Sequence, residues 1–275
     1  MTSRLLSAAL VAGVCALAVT ASAEAPKLHA AASPSRASHP GAPAPKAAAA
    51  HGQHGAWSYS GPTGASHWAE LSDEFKTCAS GQQSPINITG AVGAQTGALQ
   101  PAWKPMPLRM TDTGHGLQVE ASRGSSMKLG DSSFNMLQFH IHTPSEHTLE
   151  GQSFPMEIHF VHKDGHGHLA VVGVMVREGA ANPALQAMVD EVGPYKRASA
   201  GQTVDPLKLL PASRGFYRYQ GSLTTPPCSE NVEWVVMDTP IQASREQIAA
   251  FAKAYPNNAR PVQAMNRRFL LRSSR

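Results

Sequence analysis

What the 275-residue chain has little of narrows its class first. Its formal net charge is only +4, with 23 Lys and Arg against 19 Asp and Glu, and the basic residues are scattered or terminal. A nucleic-acid partner needs them gathered into one patch, so no nucleic-acid binding is expected. No period of 20 to 50 residues recurs, which argues against a repeat architecture. The apolar run from Leu5 to Val19 falls short of the roughly 20 residues of a comfortable membrane helix. Cysteine is confined to positions 15, 78 and 228.

Arg4 ahead of that apolar run and Ala21-Ser22-Ala23 behind it read as a Sec-type signal peptide over 1-23, giving a periplasmic or secreted mature chain with no membrane span. Val14 before Cys15 suits lipoprotein processing poorly, so Cys15 is expected to leave with the signal. Cys78 and Cys228 then remain in an oxidising compartment, either as a disulfide or as two buried thiols. Residues 24-55 are Ala, Pro, Ser, Lys and His without apolar periodicity, a flexible tether that cannot offset its ordering entropy. Its His29, His39, His51 and His54 read as solvated linker histidines, with loose metal storage as the alternative. The folded domain is expected over 56-275, long enough for one large core.

Short β-rich runs dominate that domain: Leu117 to Val119, Ser126 to Leu129, Phe134 to His142, Met156 to His162, Leu169 to Val176, Gly215 to Gln220 and Val232 to Met237. The run from Leu169 is apolar on both faces, as in a central strand. Two helices are expected to cover the sheet. Asn182 before Pro183 caps one, with Leu185, Met188, Val189 and Val192 on its apolar face. Ser244 with Gln247 makes a capping box for the other, ahead of Ile248, Phe251, Ala252 and Tyr255.

The chain is organised around Gln138-Phe139-His140-Ile141-His142. Side chains alternate along a strand, so His140 and His142 share one face while Leu137, Phe139 and Ile141 face the core. In Met156-Glu157-Ile158-His159-Phe160-Val161 the same alternation places His159 with Glu157 and Val161, opposite the apolar residues. Adjacent antiparallel strands would bring His159 beside the first pair. Three imidazoles with one open position form the catalytic pattern for zinc, not the closed structural one.

Several separate motifs then converge on one family. They are Trp57-Ser58-Tyr59 with His67-Trp68, Gln83-Ser84-Pro85-Ile86-Asn87, the histidine run with Ser145-Glu146-His147, Glu157 to His162, Gly221-Ser222-Leu223-Thr224-Thr225-Pro226-Pro227-Cys228, and Asn258-Ala259-Arg260-Pro261 before Asn266-Arg267. In this order, from about Trp57 to Arg272, they make the chain resemble an α-class carbonic anhydrase of the exported bacterial type. The resemblance implies a mainly β single domain, a large twisted and mostly antiparallel sheet with peripheral helices, and a metal in a conical cleft.

By the same resemblance Zn²⁺ is the cofactor, held by His140, His142 and His159. Gln138, Glu157 and the backbone carbonyl of Asn258 hold the other ring nitrogens of these ligands. The implied reaction is reversible hydration of CO₂ to bicarbonate and a proton by zinc-bound hydroxide. The water pKa of about 7 that this needs is the value established for carbonic anhydrases themselves, and this chain adds nothing to it. Thr224 orients the hydroxide and passes its own proton to Glu146, which only accepts. Val161, Val171, Leu223, Val232, Trp234 and Thr225 form the substrate pocket. His115 carries protons out of the cleft, and Tyr59 and Gln118 order the water between. Cys78 pairs with Cys228 to anchor the Thr224 loop. Sulfonamides and anions are expected to inhibit, ester hydrolysis is an expected side activity, and a homodimer is compatible with the pattern. Ile141 stands where the animal enzymes carry an aromatic residue, which touches packing and not ligation.

Overall fold

The computed structural model describes residues 56–192 and 201–273. The expected signal peptide, the tether with its four histidines, and Cys15 lie outside the described residues. Among those described, no helix is long and apolar enough to cross a membrane.

A twelve-stranded sheet dominates the fold. Its strands in chain order are β1 (Val92–Ala94), β2 (Leu99–Ala102), β3 (Met110–Asp112), β4 (Leu117–Glu120), β5 (Ser126–Leu129), β6 (Ser132–His142), β7 (Met156–Lys163), β8 (Leu169–Glu178), β9 (Phe216–Ser222), β10 (Glu230–Met237), β11 (Ile241–Ala243) and β12 (Leu271–Ser273). Across the sheet they run β1-β12-β9-β10-β8-β7-β6-β4-β3, with β11 beside β8 and the β2-β5 pair beside β6. Most neighbours are antiparallel. The exceptions are β8 with β10 and β11, and β12 with β1. A sheet this wide must twist, because each strand carries the right-handed twist of L-residues.

β8 sits in the middle, and its residues from Ala170 to Val176 are all buried, as its two-sided apolar run requires. The sheet separates two apolar clusters. One holds Phe139, Ile141, Ile158, Phe160, Val172 and Val174 under the helices. The other holds Val161, Val171, Tyr219, Val232, Trp234 and Val236.

Three α-helices are present among the described residues: α1 (Trp68–Leu71), α2 (Pro183–Val189) and α3 (Arg245–Ala254). The Asn182 side chain accepts from the N–H groups of Ala184 and Leu185 to start α2, and the Ser244/Gln247 capping box starts α3. Gln247 also bonds both backbone groups of Asn182 at 2.9 Å, so one side chain ties the two helix starts together. α2 ends three residues before Val192, which still packs on the core.

One expectation fails on β6. Leu137, expected in the core with Phe139 and Ile141, is 42% exposed. Val161 pairs with Gln138 and His162 with Met136, so Leu137 is the extra residue of a β-bulge. A bulge reverses the alternation beyond it, which sends Phe134 and Met136 into the core instead. The phase from Gln138 to His142 is unaffected.

Candidate active site

Strand register assembles the three histidines. His159 on β7 is directly opposite His140 on β6, and Glu157 is opposite His142. The imidazole centroids lie 4.9 Å (His140 to His142), 5.3 Å (His140 to His159) and 4.6 Å (His142 to His159) apart. One nitrogen from each ring lies within 4.8 Å of the others.

The remaining nitrogen of each ring is committed elsewhere. His140 Nδ1 donates to Gln138 Oε1 at 2.8 Å, and His142 Nδ1 to the Asn258 carbonyl at 2.7 Å. His159 Nε2 donates to Glu157 Oε1 at 2.9 Å. Burial lowers the pKa of all three below the ordinary histidine value, so each is neutral at pH 7. A neutral ring that donates from one nitrogen offers a lone pair on the other. The available atoms are therefore His140 Nε2, His142 Nε2 and His159 Nδ1. His142 Nε2 is buried with no hydrogen-bond partner, a costly state for a polar atom that a metal ion would relieve. Three neutral imidazole nitrogens form a donor set that fits zinc.

Glu157 is fully buried and accepts four hydrogen bonds. Oε1 takes His147 Nδ1 at 2.8 Å as well as His159, and Oε2 takes the backbone N–H of Glu146 and His147 at 2.9 and 2.8 Å. Burial alone would raise its pKa, but the neighbouring His147 and His159 rings, which both donate to it, hold it well below the usual carboxylate range. His147 then accepts at Nε2 from the Tyr219 hydroxyl at 2.7 Å. Tyr219 oxygen accepts in turn from Ser84 Oγ at 2.8 Å, and Ser84 Oγ from the Ser222 N–H at 3.1 Å. The chain of bonds anchors Glu157 through His147, on the same oxygen that takes His159.

Two glycines make room for this network. A Cβ on Gly173 would stand 3.0 Å from Glu157 Oε1, and one on Gly221 would stand 2.2 Å from Ser84 Oγ. Any larger residue at either position would push into a satisfied buried polar group.

Glu146 Oε1 accepts the Arg260 backbone N–H at 2.8 Å. Its Oε2 lies 3.5 Å from His142 Nε2 and 3.7 Å from His159 Nδ1. Burial raises the Glu146 carboxyl, and against the lowering effect of the neighbouring His159 ring, the Thr224 hydroxyl and the Arg260 N–H it is still pushed up to about 7. Oε2 has no hydrogen-bond partner, and the Thr224 hydroxyl acts on it as a nearby polar group. The Thr224 loop is closed by backbone bonds from Leu223 to Ser229 and from Cys228 to Thr225. The Cys78–Cys228 disulfide holds its far end. Arg260 joins the two parts through its guanidinium bonds to Gln83 Oε1 and to the carbonyls of Ser84 and Cys78, each 2.8 Å.

A cavity of about 220 Å³ opens onto His140 and His142, between Tyr59, His115, Gln118, Gln138, Thr225 and Asn258. Of the residues assigned to the substrate pocket only Thr225 lines it. Val161, Val171, Leu223, Val232 and Trp234 belong together in the adjoining apolar cluster. The His115 ring stacks on Trp57 at 3.6 Å with 13° between planes, and burial lowers its pKa below 6.5. Tyr59 is pushed up by burial and by the Glu146 charge, so it stays a neutral hydroxyl. Gln118 donates to Glu120.

Sequence reasoning gave His147, Arg260, Tyr219 and Ser84 no role, although motifs containing three of them had been singled out. Asn258 was expected only as a carbonyl, yet its side chain also bonds Thr143 N–H and the carbonyls of His115 and Ile141. It therefore links the His115 turn to the ligand strand.

Residues 63–274 match the family model described as eukaryotic-type carbonic anhydrase. A carbonic anhydrase of Pectobacterium carotovorum is 41% identical over 220 residues, 78% of this chain and 90% of that protein. One from Nostoc sp. is 42% identical over 225 residues, 78% and 85%. Among solved structures, the α-carbonic anhydrase of Thermovibrio ammonificans in complex with sulfanilamide is 39% identical at a TM-score of 0.72, covering 79% of this chain and 99% of its own. Dioscorin complexed with ascorbate is 30% identical at the same score, covering 79% and 97%. With the sheet, the histidine triad and a match over nearly the whole folded unit in agreement, the chain belongs to the α-class carbonic anhydrase family.

Proposed function

We propose that this protein is a zinc-dependent carbonic anhydrase that reversibly hydrates CO₂ to bicarbonate and a proton. His140 Nε2, His142 Nε2 and His159 Nδ1 would hold the ion. When bound, zinc supplies the Lewis acidity that makes water nucleophilic near neutral pH.

The remaining work belongs to the protein. Gln138, Glu157 and Asn258 fix the tautomer of each ligand, so no ring has to reorient when the ion enters. Thr224 Oγ1 accepts a hydrogen bond from the nucleophile and donates its own hydrogen bond to Glu146, which restricts the direction of attack. Uncharged CO₂ gains from an apolar surface, and the Val161, Val171, Leu223, Val232 and Trp234 cluster beside the triad supplies it. His115 accepts the proton released on each turnover and returns it to solvent, with Tyr59 and Gln118 bordering the water between.

The single observation that carries this reading is the convergence of three lone pairs whose partner nitrogens are all bonded away. X-ray absorption on the zinc-loaded protein should give three imidazole nitrogens. His159→Ala should lose both tight zinc and CO₂ hydration. A His159→Ala variant that keeps either would overturn the reading.

Sulfonamides and small anions are proposed as inhibitors, in line with the sulfanilamide complex of the Thermovibrio ammonificans protein. Slow ester hydrolysis is proposed as a side activity of the same nucleophile. Export to the periplasm or beyond accords with the disulfide, which persists in oxidising compartments.

A further inference from the structure

Between β7 and β8 the chain turns through Asp164-Gly165-His166-Gly167-His168, and one carboxylate organises the turn. Asp164 Oδ1 accepts the backbone N–H of His166 and of His168, each at 2.8 Å. Asp164 Oδ2 accepts the ring N–H of His168 Nδ1 at 2.9 Å. A neutral imidazole held this way presents Nε2 as a lone pair, and the His168 side chain is 69% exposed. His166 stands two residues earlier, its ring centroid 6.2 Å from that of His168. The glycine on either side of His166 brings no competing side chain.

The cleft uses the same device: a His-x-His pair in which an oxygen acceptor takes the Nδ1 proton and frees Nε2. We propose that this hairpin tip is a second metal site, taking a divalent ion that favours imidazole nitrogen, such as zinc. His166 and His168 would be its ligands, Asp164 would set the His168 tautomer, and solvent would complete the coordination. Imidazole suits zinc, copper and nickel alike, so the site selects by nitrogen and not by ion size. The centroids are wider apart than the 4.6 to 5.3 Å of the cleft histidines, so closure on one ion takes a rotation that exposed side chains can make. With two protein ligands its affinity lies well below that of the cleft. It stands independently of the reading of the cleft.

The test is calorimetric titration of the full, zinc-loaded chain with further Zn²⁺. The wild type is compared with His166→Ala/His168→Ala and with Asp164→Asn, and near-UV circular dichroism checks the fold. The double variant is expected to bind one zinc fewer. Asp164→Asn is expected to bind at this site about tenfold more weakly, as the loss of a ligand-orienting carboxylate usually does. Histidines elsewhere are common to all three proteins and cancel in the comparison. If the Asp164 variant loses its turn, His166→Ala alone, which leaves every Asp164 bond in place, must still weaken binding. Equal stoichiometry and affinity in the wild type and the folded histidine variants would overturn the proposal.

Discussion

At His115 two environments meet, because the ring must reach solvent with its proton yet lies flat on Trp57 at 3.6 Å. Burial lowers its pKa below 6.5, and a shuttle must be neutral to accept. The rate in weak buffer should therefore rise with pH through a midpoint below 6.5. Trp57→Ala, which exposes the ring, should move that midpoint up. His115→Ala should cut the rate in weak buffer by as much as about 100-fold, the lower end of what a positioned acid-base group supplies, and added imidazole should restore it. Stopped-flow rates across buffer concentration check both. The place of His115 on the wall of the cleft was legible from the family resemblance. Its stacking partner was not, since no pattern along the chain joins positions 57 and 115.

Among the elements, the strands that carry the site were legible because alternation on β6 and β7 is strict where the histidines sit. Legibility ended at the bulge. Met136 and Leu137 are both apolar, so either could have been the buried one, and only the pairing with Val161 and His162 decides. Strands β1, β2, β3, β11 and β12 were missed because they are three or four residues long, and Pro101 in β2 argues against a strand. The Glu157 network was half legible. Its bond to His159 spans two residues, whereas its support from Tyr219 and Ser84 comes from distant segments. Gly173 looked like one more small residue in an apolar run, yet it gives Glu157 its room. Gly173→Ala should destabilise the protein by about 1 to 3 kcal/mol, as overpacking does, and weaken zinc binding through the displaced carboxylate. Denaturant melts and competition with a zinc chelator check these, and an unchanged zinc affinity would detach Glu157 from ligand control.

At the scale of the whole molecule, buried histidines set the acid limit. His162 lies in the core with Nδ1 bonded to the Phe160 carbonyl, and burial lowers it to about 4 against the bonds to Phe160 and Ala170. The unfolded chain binds a proton near 6.5 and the folded chain only near 4. The contribution is therefore complete above 6.5 and lost as pH falls through that window. The loss amounts to about 3 kcal/mol. His162→Asn should lose correspondingly less between pH 6.5 and 4, read from urea midpoints at several pH values. The Cys78–Cys228 bridge closes a separation of 150 residues, and removing it with Cys78→Ser/Cys228→Ser should cost about 2 to 5 kcal/mol. The Thr224 loop should then loosen before the sheet does, because the sheet has its own core on both faces. The most direct test of the account is CO₂ hydration measured by stopped flow on protein stripped of metal and then given back one equivalent of zinc. Catalysis should vanish on stripping and recover fully on reconstitution, with His140→Ala, His142→Ala and His159→Ala each unresponsive. Hydration that persists in the stripped protein, or returns in any of those variants, would contradict it.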